Sequence, residues 1–198
     1  GRALDVETRF SDDRAGFSRV SGPFETRLEV RLSPEHDALV RRLTIHNRHR
    51  QSRVVSATSY AELVLAPIGD DDAHPAFSKM FVETEHLPER DAIIAHRRKR
   101  SAGDPEVWVG HVVLTDVPAH GAVGVETDRR NFLGRGRTTR DPHQIVDQQT
   151  PSGRTGHTLD PILSLSRRVI GSQAFQQSAT VVLASMHSRP EASSIRTS

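Results

Sequence analysis

The sequence predicts an all-β fold, an antiparallel β-sandwich. Three observations carry this. Apolar and charged residues alternate strictly along several runs, most plainly in Phe24-Glu25-Thr26-Arg27-Leu28-Glu29-Val30-Arg31-Leu32, the period of a strand with one face in water. Turn chemistry separates such runs at short intervals, as in Ser33-Pro34-Glu35-His36-Asp37,. No stretch of about 12 residues or more repeats its apolar positions at the helical period.

Taken in order, Phe24 to Leu32 is the first clear strand. Ala38 to His46 is the second, ending at the polar turn Asn47 to Ser52. Arg53 to Ala66 is a longer third strand, stopped by Pro67. Three antiparallel strands joined by short turns make a meander, the usual beginning of a sandwich. Ile68 to Pro75 is acidic and loop-like. Phe77 to Glu85, Ala92 to Arg98 and Val107 to Leu114 read as strands, and Arg97-Arg98-Lys99-Arg100 runs into the turn Ser101-Ala102-Gly103-Asp104-Pro105. Gly121 to Glu126 is a short strand, and Asp128 to Gly136 fits neither period. Arg137 to Gly156 is a long polar loop, expected to be poorly ordered unless another domain covers it. Ile162 to Ile170 and Ala174 to Ser185 are the final strands, separated by Gly171-Ser172. The tail 186–198 is polar and expected to fray. Residues 1–198 are thus expected to form a single β-sandwich domain. Leu28, Val30, Leu43, Ile45, Val55 and Leu63 should face its core.

Composition narrows the function classes. The apolar share is 35%, or about 41% with the 13 glycines included, against roughly 45–50% for an average soluble domain. The 27 basic and 25 acidic side chains leave a net charge of +2. Lys79 and Lys99 are the only lysines, so the basic complement is nearly all arginine. A nucleic-acid binder would show a basic stripe with aromatic stacking platforms, whereas this chain has one Trp, one Tyr and seven Phe. No nucleic-acid partner is expected. The absence of cysteine excludes disulfides, thiolate zinc sites and Cys nucleophiles. No apolar run approaches the roughly 20 residues of a membrane helix, so direct membrane insertion is not expected either.

Candidate chemistry is sparse. Asp70-Asp71-Asp72-Ala73-His74 places hard ligands together but lacks the spacing of a calcium loop, and a solvated acidic loop is the commoner reading. His96 and His111 could face each other across neighbouring strands, although an imidazole satisfied by backbone is commoner than a ligand. Glu83 and Glu85 lie on one face of a strand, the separation at which paired carboxylates do acid/base work, yet such alternation is routine on an exposed strand. Gly134-Arg135-Gly136-Arg137 suggests a phosphate cradle but lacks the Lys-Ser/Thr of a P-loop. No G-x-S-x-G elbow occurs. No catalytic residue, metal site or cofactor is assigned. For carbohydrate binding, Trp108 is the best stacking platform, with Tyr60 and Phe77 behind it. Whether Trp108 points outward or into the core is open, because either parity of Val107-Trp108-Val109 is allowed.

Several segments resemble the sandwich domain of the cellobiose-phosphorylase family, in the form found in cyclic β-1,2-glucan synthases. They are Leu43 to Asn47, Thr58 to Pro67, Ala73 to Glu85, Glu126 to Gly136 and Leu159 to Ile162, in order across about residues 20 to 185. The resemblance implies a galactose-mutarotase-like supersandwich and a fragment of a larger bacterial glycosyltransferase or phosphorylase-type enzyme. Its helical barrel and transferase machinery are not among these residues. The resemblance places the enzyme on the cytoplasmic side of the inner membrane. The chain is then expected to be a non-catalytic module that supports the enzyme or binds glucan through Trp108, Tyr60, His74 and Glu83. Its partners would be glucan or an oligosaccharide, neighbouring domains of the same polypeptide, and a second copy in a homodimer. A stand-alone mutarotase-like enzyme using His96 or His111 with Glu83 or Glu85, or a purely structural spacer, are the alternatives.

Overall fold

The computed structural model describes residues 6–48, 51–171 and 176–186. The chain opens with β1 (Val6–Ser11), β2 (Arg14–Ser21), β3 (Phe24–Leu32), β4 (Ala38–Asn47) and β5 (Arg53–Glu62). Two short helices follow, α1 (Ile68–Ala73) and α2 (Pro75–Lys79), then β6 (Val82–Leu87), β7 (Ala92–Arg97), β8 (Trp108–Thr115) and β9 (Gly124–Asp128). Next come α3 (Arg129–Leu133), α4 (His143–Val146), β10 (Gly156–His157), β11 (Pro161–Gly171) and β12 (Gln176–Met186). The fold is all-β and antiparallel, as the alternation predicts. The expected frayed tail lies outside the described residues beyond Met186.

Two compact units are built from interleaved segments. The first takes Gly1–Ala57, Val112–Val123 and Arg167–Ala184. In it β1, β2, β3 and β4 form a meander, and β12 pairs with the far side of β4. The register sets Phe17 opposite Leu28 and Leu28 opposite Leu43, so these side chains share one face. Ile45 on that face is buried, while Leu28, Val30 and Leu43 are half-buried. Toward the outer strands the same face opens to water, with Phe10 and Leu32 more than 70% exposed at 77% and 73%. The expected meander therefore begins two strands earlier than the alternation suggests. It does not include the third predicted strand, because β5 joins a separate three-stranded sheet in the order β5-β11-β9. Asn47 is the last residue of β4. Its buried side-chain amide donates to the Gln51 carbonyl at 2.9 Å, at the end of the β4 ladder.

The second unit takes Thr58–His111, Gly124–Ser166 and Ser185–Ser198. Within it β7 lies between β6 and β8, and β10 pairs with the far edge of β6. Ala92, Ile93, Ile94 and Ala95 of β7 are all buried, so this strand is covered on both faces and reads as a continuous apolar run. On β5 alternation returns. Ser59, Ala61 and Leu63 point inward, and Tyr60 and Glu62 occupy the other face. Phe132, Leu133 and Ile162 form a buried cluster against which Tyr60 packs. Of the six predicted core residues, Ile45 and Leu63 are buried and the other four are half-buried; none is exposed.

Helices account for the remaining differences. Ile68 to Pro75, expected as loop, carries α1, and Phe77 to Lys79, expected as strand, belongs to α2. Among the described residues no helix exceeds six residues, less than two turns, too short for periodicity to reveal. Asp128 to Gly136 contains α3, whose N-cap Asp128 accepts through its side chain from the Arg130 amide at 2.8 Å, satisfying an orphan donor of the first turn. The 137–156 loop is held in place rather than loose. It contains α4, and Gly153 donates its amide to the Val125 carbonyl at 2.9 Å. Its Ser152 binds the carboxylate of Glu126 through both amide and hydroxyl, each at 3.1 Å. Buried polar groups that need partners thus order a segment whose composition reads as disordered.

Gly134 joins α3 to this loop. Its φ is +80°, and a Cβ there would lie 2.7 Å from Cβ of His143. Gly134→Ala should therefore destabilise the protein by about 1–3 kcal/mol, read as a lower urea midpoint. Gly103, with open space around it, should accept alanine with a change within about 0.5 kcal/mol.

Candidate functional site

Four segments of the second unit meet around two carboxylates. Tyr60 and Glu62, two apart on β5, project from the same face. Lys79 ends α2, Arg129 opens α3, and Asp160 immediately precedes β11. The Tyr60 hydroxyl donates to Glu62 Oε1 at 2.6 Å, and Arg129 Nε donates to the same oxygen at 3.0 Å. The Arg129 guanidinium also lies 3.6 Å from Asp160 Oδ2, while Lys79 Nζ donates to Asp160 Oδ1 at 2.7 Å. A continuous chain of charge-assisted contacts therefore runs Tyr60–Glu62–Arg129–Asp160–Lys79. Beneath it the Tyr60 ring stacks on Phe132 with centroids 4.7 Å apart.

These contacts set the protonation states. Partial burial of the phenol, reinforced by the Glu62 carboxylate it bonds, raises the Tyr60 pKa to about 12,. The Tyr60 hydroxyl, with Arg129 behind it, holds Glu62 below the ordinary carboxylate value. The Glu62 carboxylate in turn raises Arg129. Glu62 is thus kept as an anionic acceptor, the opposite of a carboxyl poised to give up a proton at neutral pH. A second carboxylate, Glu126, is 2% exposed and takes bonds from the amides of Thr127, Asp128 and Ser152 and from the Ser152 hydroxyl. It is a structural anchor for the return loop.

The residues singled out from sequence fall in several places. Trp108 is not an open stacking platform. It is 7% exposed, its ring stacks on His96 with centroids 4.3 Å apart, and its indole N–H donates to Glu106 at 2.9 Å. Because β8 has neighbours on both faces, the parity of Val107 and Val109 did not decide the matter. Tyr60 likewise spends its ring on Phe132 and its hydroxyl on Glu62. His74 is exposed between α1 and α2. Glu83 lies opposite His96 on β7 and His157 on β10, with its oxygens 3.6 Å and 3.3 Å from their Nε2 atoms. Glu83, His96 and Trp108 therefore form one row across three strands.

The other candidates resolve into structure. His111 is buried and hydrogen-bonded to the Ser59 hydroxyl, so it does not face His96, which lies on the partly exposed row. Asp71 accepts from the Ser78 hydroxyl at 3.1 Å. Gly134 to Arg137 is the turn after α3, and Arg137 pairs with Asp147 at 2.8 Å. Among the described residues no group of three or more His, Asp or Glu converges as metal ligands do,. No helix of the described residues is long and apolar enough to cross a membrane.

Sequence reasoning singled out neither Glu62, Lys79, Arg129 nor Asp160. Each lies inside one of the segments that carry the family resemblance, and the available signal was that these segments must meet. Isolated charges spread over residues 62 to 160 show no local spacing that would link them.

Comparison with known proteins identifies the family and the fold. The glycosyl hydrolase 94 supersandwich domain matches residues 2–198. The chain is 44% identical over 163 residues to the cyclic beta-(1,2)-glucan synthase NdvB of Rhizobium meliloti (strain 1021). That match covers 82% of this chain and 6% of the relative, so the chain spans a small fraction of the relative's length. Among solved structures, heparan sulfate lyase HepC from Pedobacter heparinus superposes with a TM-score of 0.50 at 6% identity, over 94% of this chain and 22% of that one. A HepC mutant gives a TM-score of 0.51 at 5% identity with the same coverage. At such identities the likeness concerns the fold alone.

Tyr60 is the only tyrosine, so phenolate absorbance near alkaline pH reports it without overlap. The titration midpoint should lie near 12, and Glu62→Gln should lower it while leaving it above 10, because burial is the larger cause. A raised phenol stabilises the fold only while protonated. Its contribution should be full below the ordinary value of 10.0 and lost as pH rises through about 12,.

Proposed function

Because the chain belongs to the glycosyl hydrolase 94 supersandwich-domain family, we propose that it is a non-catalytic β-sandwich module of a cyclic β-1,2-glucan synthase, supporting that enzyme and holding its glucan. The observation that carries this reading is the state of Glu62. Glycosidic-bond chemistry needs one carboxyl held protonated near neutral pH and a second one free to act. Glu62 instead is clamped as an anion by Tyr60 and Arg129, and Glu126 is consumed by four donors of its own backbone and loop. In this reading the chain packs against neighbouring domains of the same polypeptide, on the cytoplasmic side of a bacterial inner membrane, and the chemistry takes place outside these residues.

One arrangement favours a second reading, a sugar-active enzyme of mutarotase type. Glu83 stands between the imidazoles of His96 and His157, a carboxylate and two proton carriers within reach of each other. Polarimetry of freshly dissolved α-glucose separates the two readings. The module reading predicts mutarotation at the buffer rate with the protein present. A protein-dependent acceleration abolished by Glu83→Gln would establish the second reading and overturn the first.

A further inference from the structure

A cavity of about 620 Å³ opens in the second unit, within the roughly 300–1,000 Å³ of small-molecule sites. One wall is the chain leaving β5, from Val64 to Pro67; the other is the basic turn after β7. Most of its charges are already engaged. Arg97 donates to the Ser78 carbonyl at 2.7 Å and lies over the Phe81 ring. Arg100 lies over Phe77 and Phe81, 5.3 Å from each centroid,. Asp104 accepts from the amides of Arg100 and Ser101 and from the Ser101 hydroxyl. Two groups are left over. Arg98 and Asp70 are both exposed and both line the cavity, and neither side chain makes a hydrogen bond or ion pair among the described residues.

An unspent donor and an unspent acceptor in one cavity select for a ligand that does both. An anion would satisfy Arg98 but meet Asp70; a cation would meet three guanidinium groups. A hydroxyl donates and accepts at once, and a polyol offers several. The apolar edge from Val64 to Pro67 suits the C–H face of a pyranose ring. We propose that this cavity is a binding site for a neutral oligosaccharide, with Arg98 and Asp70 as its polar contacts. The assignment rests on the glucan-holding role proposed above and moves that role away from Trp108 and Tyr60, whose rings are covered.

Calorimetric titration of the full chain with a linear β-1,2-linked glucooligosaccharide tests this, with far-UV circular dichroism confirming that each variant is folded. Saturable binding should be weakened about tenfold by Arg98→Ala and by Asp70→Asn, the loss expected for one hydrogen bond to a charged group. Glu35→Gln, on the β3–β4 turn, should bind like the parent. Binding that neither cavity variant changes would overturn the site while leaving the glucan-holding role intact. No binding by the folded parent at millimolar sugar would overturn both. Tighter binding of a sulfated oligosaccharide, strengthened further by Asp70→Asn, would overturn the neutral class in favour of an anion site.

Discussion

One guanidinium organises the second unit. Arg129 reaches Glu62 on β5 and Asp160 at the mouth of β11, and through Asp160 it reaches Lys79 at the end of α2. Partly exposed ion pairs of this kind contribute only about 0–1 kcal/mol each, so the network does not hold the unit together by strength. Its effect is on geometry. With Arg129 placed by α3, and α3 placed by its Asp128 cap and the Phe132 contact with Tyr60, the carboxylates have one arrangement in which all are satisfied. Burial of Phe132, Leu133 and Ile162 supplies the free energy. The charges decide which packing is compatible with it.

Most strands were legible in the sequence because one face is wet and alternates with the other, and β7, covered on both faces, was legible as a short apolar run between polar turns,. Phe24 to Leu32 alternates and forms β3 with the same bounds, and β4, β7, β8, β11 and β12 fall within one or two residues of expectation. Sheet membership was not legible. Nothing local tells Arg53 that its strand will pair with β11 rather than β4, since register is settled by distant partners. The short helices escaped because five or six residues cannot show a 3.6-residue period. The 137–156 loop escaped for a different reason. Its order comes from Glu126, a buried carboxylate whose needs are met by Ser152, and composition does not encode that pairing.

The candidate site was legible only at the level of segments. Tyr60 and Glu83 were flagged by residue type, and the structure gives each a partner that type alone could not foresee: Phe132 and Glu62 for one, two imidazoles for the other. Trp108 illustrates the limit most clearly. A lone tryptophan in a strand suggests a sugar platform, yet stacking on His96 and a bond to Glu106 turn it into packing. The polar groups left without partners are not the ones that look most chemical. Among the charged side chains that line the cavity, Arg98 and Asp70 are the two with no partner among the described residues, ordinary surface charges made distinctive by a shared cavity.

The common thread is that a carboxylate which could drive glycosidic chemistry, Glu62, is instead held charged by structural partners. The pH titration of the Glu62 side-chain carboxyl, followed by carbon-detected NMR, tests that claim most directly. A midpoint below the ordinary 4.5 is the result expected for a clamped anion, with the stability it contributes present above that value and lost as pH falls through the folded-state midpoint. A midpoint raised toward 6 or 7, the range of a working general acid, would contradict the account.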